Sequence, residues 1–173
     1  MQYFSNLQLD YNNAVDNTPG KVVTTFRGQV YVLNAKKSIS GSVRIAVGMH
    51  NGSSLSWFRK KEKNEVKIKT ESVLFNQNFT VFATNEQETF YILTPYVMEQ
   101  LLNLNNSYGT FGISIEGNEI AIALNTGYFL LDKPQEYKDI EKMSIENCKK
   151  QVQQILSFAN GMEDLFSGNI IMK

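Results

Sequence analysis

Two residue types that often carry acid–base or nucleophilic chemistry occur once each in this chain, as His50 and Cys148. His50 lies in a turn-like run with a glycine two residues away on both sides. A general base needs a nearby carboxylate or nucleophile, and none adjoins it in sequence. We interpret His50 as a solvated loop residue. Cys148 falls on the apolar stripe of a helical pattern, where a thiol packs as a small apolar side chain, so we interpret it as a core residue.

Metal and cofactor sites lack their usual sequence signals. A single histidine and a single cysteine exclude an intramolecular disulfide and a Cys/His zinc site within one chain. The sequence contains no P-loop, dinucleotide fingerprint, H-E-x-x-H helix or G-x-S-x-G elbow. We predict no catalytic residue, no metal and no cofactor. An enzyme whose carboxylates meet only in the fold stays open, because such a pair leaves no trace in sequence.

The most distinctive charged segment places the only tryptophan beside a basic run. The candidate interaction surface consists of Trp57, Phe58, Arg59, Lys60, Lys61 and Lys63. Aromatic rings next to cations suit a membrane interface, and they also suit nucleic acid through stacking and phosphate contacts. Glu62 and Glu65 interrupt the run, which favours the plainer alternative of a solvated loop.

The composition is that of one ordinary globular domain. The chain has 173 residues, 42% hydrophobic content and 17 basic against 17 acidic residues. That balance gives no overall field favouring nucleic acid or an anionic membrane. Neither an apolar run of membrane-spanning length nor a secretion signal is present. We expect a single α+β domain over residues 1–173 in the cytoplasm, with residues 1–20 as a poorly ordered arm or an edge strand.

Alternating apolar residues predict a sheet. Two strands are expected at residues 22–26 and 29–33, separated by Arg27-Gly28, and further strands at residues 43–47, 66–68, 73–75, 79–83 and 128–131. The strongest hairpin signal is Gly117-Asn118, which joins two alternating runs that end at Ile115 and begin at Ile120. We therefore predict a predominantly antiparallel sheet of about six to eight strands.

Helix signals occur in three places. Asn85, with Glu88 three residues later, resembles a capping box, and Thr94-Pro95 ends one helix and begins another. Ser144 introduces the clearest helix. Its expected buried stripe is Ile145, Cys148, Val152, Ile155, Leu156, Ala159 and Met162. We predict that the Pro95 and Ser144 helices are the two main ones and pack on one face of the sheet.

Three groups of residues resemble the bacterial domain-of-unknown-function family 3137. They are the run from Phe75 to Thr84 followed by Leu93-Thr94-Pro95, the Phe26-Arg27-Gly28 step, and the hairpin of residues 113–124. The resemblance implies a domain that commonly follows membrane-spanning helices and faces the cytoplasm. It implies no activity and no catalytic residue. This chain would then be either a trimmed piece of an anchored protein or a free-standing version.

These observations lead to an expected function. We expect a non-catalytic interaction or regulatory domain that works through protein contacts on the inner face of a bacterial membrane. A protein partner is expected and nucleic acid is not favoured. Association with the membrane through an anchor outside this sequence, and pairing of two copies, both stay open. The alternatives are an enzyme with carboxylates assembled by folding, and a membrane-surface or nucleic-acid binder that uses Trp57 and the basic run.

Overall fold

Alternating apolar residues form the strands of a structure that contains both a sheet and helices. The computed structural model describes residues 2–12, 20, 22–35, 38–47, 61–108, 110–132 and 144–166. Its strands are β1 (Tyr3–Asn12), β2 (Val22–Asn34), β3 (Ser42–Val47), β4 (Val66–Ile68), β5 (Phe79–Ala83), β6 (Phe111–Glu116) and β7 (Glu119–Leu124). Its helices are α1 (Val73–Asn78), α2 (Glu86–Ile92), α3 (Pro95–Tyr108) and α4 (Ile145–Phe166).

The seven strands form one sheet in the order β1-β2-β7-β6-β3-β5-β4. Every neighbouring pair is antiparallel. The predicted α+β class and antiparallel sheet are therefore confirmed. The β6–β7 hairpin is also confirmed. Gly117 takes φ 57° at the first central position of its turn, where a tight hairpin favours glycine.

One face of the sheet carries the large apolar side chains. Residues opposite each other in antiparallel register share a face, so Tyr31 with Ile122 and Ile45 with Ile113 define this side. Phe158 from α4 packs there, with its ring centroid 4.6 Å from that of Tyr31. Apolar residues of α1, α3 and α4 belong to the same buried cluster. The prediction that α3 and α4 cover one face is confirmed.

The Arg27-Gly28 pair does not divide β2, so the prediction of two strands is wrong. β2 is continuous and pairs with β1 along its length, with one register shift opposite Leu9. Gly28 is needed for another reason. A Cβ at this position would clash with the carbonyl oxygen of Leu124. The glycine therefore permits a close approach of two backbones within the sheet.

Residues 73–75 are helical, which corrects the predicted strand. The Ser72 hydroxyl accepts a hydrogen bond from the Phe75 amide and caps α1. The Asn76 side chain fixes the approach to the helix, because it accepts from the Thr70 amide and donates to the Thr70 carbonyl. Phe75 is fully buried and stacks on Phe79, with ring centroids 4.6 Å apart. The capping signal at Ser72 outweighs the β-propensity of the run.

Residues 128–131 do not form a strand, which corrects a further prediction. Side chains take the place of a strand ladder there. The Asn6 side chain donates to the carbonyl of Leu130 and accepts from its amide. Gln29 donates to the Tyr128 carbonyl, and Gln151 of α4 accepts from the Leu131 amide. The segment therefore satisfies its backbone without a neighbouring strand.

Candidate functional site

The predicted interaction surface lies only partly within the described residues. Trp57, Phe58, Arg59 and Lys60 are outside them, and so is His50, so the roles of these residues stay predictions. Lys61 and Lys63 are exposed just before β4. Lys67 and Lys69, at the β4 edge, are exposed as well. The described residues from Lys61 to Lys69, which include the end of the basic run and β4, therefore present four lysines to solvent.

One of the two acidic residues that interrupt the run is not part of this surface. Glu65 is turned inward and makes a two-point ion pair with Arg44 of β3. The Arg44 Nε–Glu65 Oε1 and Arg44 Nη2–Glu65 Oε2 distances are both 2.6 Å. The side chains are 11% exposed for Arg44 and 3% for Glu65. The Arg44 guanidinium also lies 5.6 Å from the ring centroid of Phe82, on the sheet face opposite the helices.

The Arg44–Glu65 pair has the electrostatics of a structural contact. Hydrogen bonding to Arg44 holds the pKa of Glu65 below its ordinary value, and the backbone amide of Glu62 lowers it further. The Glu62 carboxylate also approaches Arg44, at 4.0 Å. Two carboxylates therefore converge on one guanidinium. A general acid needs a raised pKa, so the lowered value suits Glu65 to a permanent charge.

Glu88, another acidic residue, connects helix α2 to the loop before β3. Asn85 caps α2 as predicted, since its side-chain oxygen accepts from the Glu88 amide. The Glu88 carboxylate, however, accepts from the amide and the hydroxyl of Ser40, both at 2.9 Å, instead of closing a capping box. Within the described ranges, no group of three or more His, Cys, Asp or Glu side chains is placed to hold a metal ion.

The helix α4 has an apolar surface that the sheet does not cover. Ser144 caps it as predicted, because its hydroxyl accepts from the Asn147 amide. The buried residues are Ile155, Phe158, Ala159, Met162 and Leu165. In contrast, Ile145 is 75% exposed, Val152 42% and Leu156 45%. The predicted buried stripe is therefore correct for Ile155, Ala159 and Met162 and wrong for these three residues.

We call the uncovered surface the α4 stripe: Ile145, Val152 and Leu156, with Cys148 half-buried among them. At about 100° per residue, the stripe lies roughly a quarter turn from the buried face. Cys148 is therefore not the core residue that the sequence predicted. The sequence indicated this exposure, because the apolar residues of α4 span a wider arc of the helix than a sheet can cover.

A shallow groove of about 380 Å³ runs along the stripe. It is lined by Ile145, Cys148, Lys149, Val152 and Gln153. Lys150, one residue on, forms an ion pair with Glu146 at 3.1 Å and points its charge to another side of the helix. Lys149 forms no ion pair among the described residues. The groove thus combines an apolar floor with one available cation, an arrangement that can bind an apolar segment with an acidic neighbour.

The residues that carry the family resemblance have structural roles. Phe75 is a core residue, Gly28 allows the approach to Leu124, and the Thr94 hydroxyl caps α3 by accepting from the Val97 amide. The α4 stripe lies apart from them. In the part of the chain that the structure describes, no helix has both the length and the apolar character needed to span a bilayer.

Comparison with protein-family models agrees with these motifs. No curated protein and no solved structure matches the chain. The family model DUF3137, described as a protein of unknown function, matches residues 24–163. The matched span begins within β2 and includes the α4 stripe, whereas β1 lies outside it. Because the match covers most of the chain, this protein belongs to the DUF3137 family.

Proposed function

We propose that this domain is a non-catalytic interaction or regulatory module that acts through protein contacts at the cytoplasmic side of a membrane, and that the α4 stripe makes those contacts. The supporting observation is the exposure of Ile145, Val152 and Leu156 on a helix that buries its larger apolar face, from Ile155 to Leu165, against the sheet. Covering such side chains contributes a favourable free energy of about 25 cal/mol for each Å² of apolar area removed from water. A contiguous apolar stripe with a polar rim is typical of a docking surface.

The shape of the surface favours a helical segment as the partner. The stripe runs from Ile145 to Leu156, a length of about 17 Å at 1.5 Å per residue. About three turns of a partner helix would cover it, with apolar residues at three- and four-residue spacing as anchors. The groove between Ile145 and Val152 accepts the central anchor.

The charge beside the groove favours an acidic partner. Lys149 lines the groove, while Lys150 is held by Glu146. A carboxylate on the partner would pair with the Lys149 ammonium at the edge of the apolar contact. Charges at the rim of an interface contribute mainly orientation and specificity. The partner is therefore an amphipathic helix with Asp or Glu next to its apolar face.

A pair of synthetic peptides tests this proposal. One is a helical peptide of about three turns with leucine anchors and flanking glutamates, and the other has lysines in place of the glutamates. We expect the glutamate peptide to bind the intact chain more tightly in fluorescence anisotropy. Val152→Asp should weaken its binding about tenfold or more, as loss of a central anchor does. Lys149→Glu should reverse the preference between the two peptides.

Gln154→Asp is the matched control, because Gln154 is exposed on the far side of the same helix. We expect it to leave both affinities unchanged. Equal binding of the two peptides, or an equal loss from Val152→Asp and Gln154→Asp, would contradict the proposal. A crosslinking amino acid at position 152 or 154 in living cells adds an independent comparison. Protein adducts should form at 152 and not at 154.

The placement at the cytoplasmic face of a membrane rests on the resemblance to family 3137. Protease treatment of cells that make the natural protein tests it. The domain should resist protease in intact cells and with a permeabilised outer envelope, and should be cut once the cytoplasmic membrane is opened. Cleavage in intact cells would exclude that side of the membrane.

A second candidate function is supported by the lysines at the β4 edge. Lys61, Lys63, Lys67 and Lys69 are all exposed, and Glu65 does not offset them because it is paired with Arg44. Such a surface would bind anionic lipid headgroups together with the predicted Trp57 segment. Vesicles with and without anionic lipid test this, using Lys61→Glu with Lys63→Glu. Binding unchanged by these substitutions or by salt would end this candidate, and binding to oligonucleotides alone would point to nucleic acid instead.

A further inference from the structure

The two edges of the sheet differ in how they are protected. β4 is three residues long, and it carries Lys67 with Lys69 just beyond it. Short length and lysine are two features that discourage an edge strand from pairing with another chain. β1 is ten residues long, contains no proline, and has Asp10 as its only charged residue. The β1 edge therefore lacks these features between Tyr3 and Leu9.

The hydrogen bonds of β2 show which backbone groups of β1 face outward. The Arg27 amide donates to the Asn125 side chain, and the Arg27 carbonyl accepts from the Gly127 amide. Both partners lie on the β7 side of β2. Successive residues of a strand direct their N–H and C=O to alternate sides. Gly28, the next residue, therefore directs its backbone groups toward β1.

The register then fixes the orientation of β1. Leu7 is opposite Gly28, so the Leu7 backbone points back toward β2. Phe4, Asn6 and Gln8 lie an odd number of positions from Leu7. They therefore direct their N–H and C=O groups to the other side, away from the sheet. No other strand lies on that side of β1 among the described residues. β1 thus presents a row of donors and acceptors along an open edge, where the Asn6 carbonyl also accepts from the Ser5 hydroxyl at 3.0 Å and keeps a second lone pair for another strand.

Apolar side chains follow the same edge. Tyr3 is 56% exposed, Leu7 39% and Leu9 37%, and all three lie on the sheet face opposite the helices. An added strand would cover part of each of them. The edge therefore offers both backbone hydrogen bonds and apolar contact, the two contributions by which a strand adds to a sheet.

We propose that β1 pairs with β1 of a second copy of this chain, antiparallel, around a two-fold axis at Leu7. This register aligns the whole strand with itself. It places Phe4 opposite Asp10 and Asn6 opposite Gln8 of the other copy, so the two Asp10 carboxylates stay apart. A two-fold contact uses the same surface on both copies, so a charge at the centre of the strand would meet its own copy. The only charge of β1 is near the end of the strand, where this does not happen. The two sheets then continue as one across the dimer.

The first test is the molar mass of the intact chain in solution, measured by sedimentation or light scattering. We expect a dimer for the natural sequence. Gln8→Pro should halve the measured mass, because it removes an outward N–H and leaves the bonds between β1 and β2 in place. Gln8→Ala is the matched control and should remain a dimer. A monomeric natural chain, or a dimer that persists in Gln8→Pro, would overturn the proposal.

A charge exchange at the axis tests the register without depending on proline. Leu7→Lys and Leu7→Glu each bring two like charges together across the axis, so each variant alone should be monomeric. Mixing the two should restore a dimer that contains one copy of each. Failure of the mixture to dimerise while both variants stay folded would refute the Leu7 axis.

The same measurement separates this dimer from the α4 stripe. Val152→Asp should leave the mass unchanged, since Val152 lies on α4 and takes no part in the β1 contact. A dimer that dissociates in Val152→Asp and survives Gln8→Pro would place self-association on α4 and exclude the β1 edge.

Discussion

Arg44 and Glu65 form a buried two-point ion pair on the face of the sheet that the helices leave open. Both N–O distances are 2.6 Å, and the Glu65 side chain is only 3% exposed. The pair connects β3 to the segment before β4, at the end of the basic run. It therefore holds the base of that segment against the sheet.

The Arg44–Glu65 pair predicts a pH dependence of stability. Because Arg44 lowers the pKa of Glu65 from 4.5, the folded state favours the carboxylate. This contribution is complete above the ordinary pKa, and it is lost as the pH falls through the lower folded value. The difference in unfolding free energy between the natural chain and Glu65→Gln should therefore shrink below about pH 4.5. Urea unfolding over a pH series measures it.

Glu71→Gln is the control for that series, because Glu71 is exposed and has no described hydrogen bond or ion pair. Its difference from the natural chain should stay small throughout. A Glu65→Gln difference that grows toward acid pH would contradict the assigned role of Arg44.

Removal of one member of the Arg44–Glu65 pair should lower the free energy of unfolding more than removal of both. Arg44→Met leaves the Glu65 carboxylate buried without its cation, which costs about 3–5 kcal/mol. The double variant Arg44→Met with Glu65→Leu should recover most of that loss, because apolar residues then replace the pair beside Phe82. A double-mutant cycle by urea unfolding measures the coupling. Additive losses would show that the two side chains act independently.

Gly28 and Gly161 predict opposite effects of the same substitution. Gly28→Ala should destabilise by about 3 kcal/mol or more, because its Cβ meets the Leu124 backbone, which cannot move without disturbing the sheet. Gly161 lies within α4 with open space at its Cβ. Gly161→Ala should stabilise by roughly 0.5–1 kcal/mol through helix propensity. Thermal unfolding of both variants checks the pair, and a mild effect at Gly28 would rule out the close approach.

The two apolar surfaces of α4 should respond differently to truncation. Ile155 is 4% exposed, so Ile155→Ala should cost about 2–5 kcal/mol. Val152→Ala should change the unfolding free energy by less than about 0.5 kcal/mol, since an exposed side chain loses little on truncation. Chemical unfolding of the two variants measures this. A loss at Val152 as large as that at Ile155 would mean that the stripe is part of the fold and not a docking surface.

The predictable features were those set by local interactions. The Gly117-Asn118 hairpin and the caps at Asn85, Thr94 and Ser144 depend on residues within a few positions of each other, so the pattern was sufficient. Residues 73–75 form a helix instead of the expected strand because the Ser72 hydroxyl caps it, and this interaction is also local. The 128–131 segment could not be read locally. Its backbone partners, Asn6 and Gln151, are remote in sequence.

The candidate sites divide in the same way. The basic run that contains Lys61 and Lys63 was visible because its residues are contiguous, whereas the removal of Glu65 from that surface depends on Arg44, 21 positions away. The apolar arc of α4 was visible as well. The contact between Phe158 of α4 and Tyr31 of the sheet sets the rotation of the helix. That rotation decides which part of the apolar arc faces water.

The sequence by itself determined the α+β class, the antiparallel sheet and the family, because period, turn chemistry and caps act over short distances along the chain. Tertiary structure alone decided the strand order that leaves β1 at an edge and the packing that leaves the α4 stripe uncovered. Both depend on which distant surfaces meet. The free energy of burying apolar area depends on that meeting, and no local pattern records it.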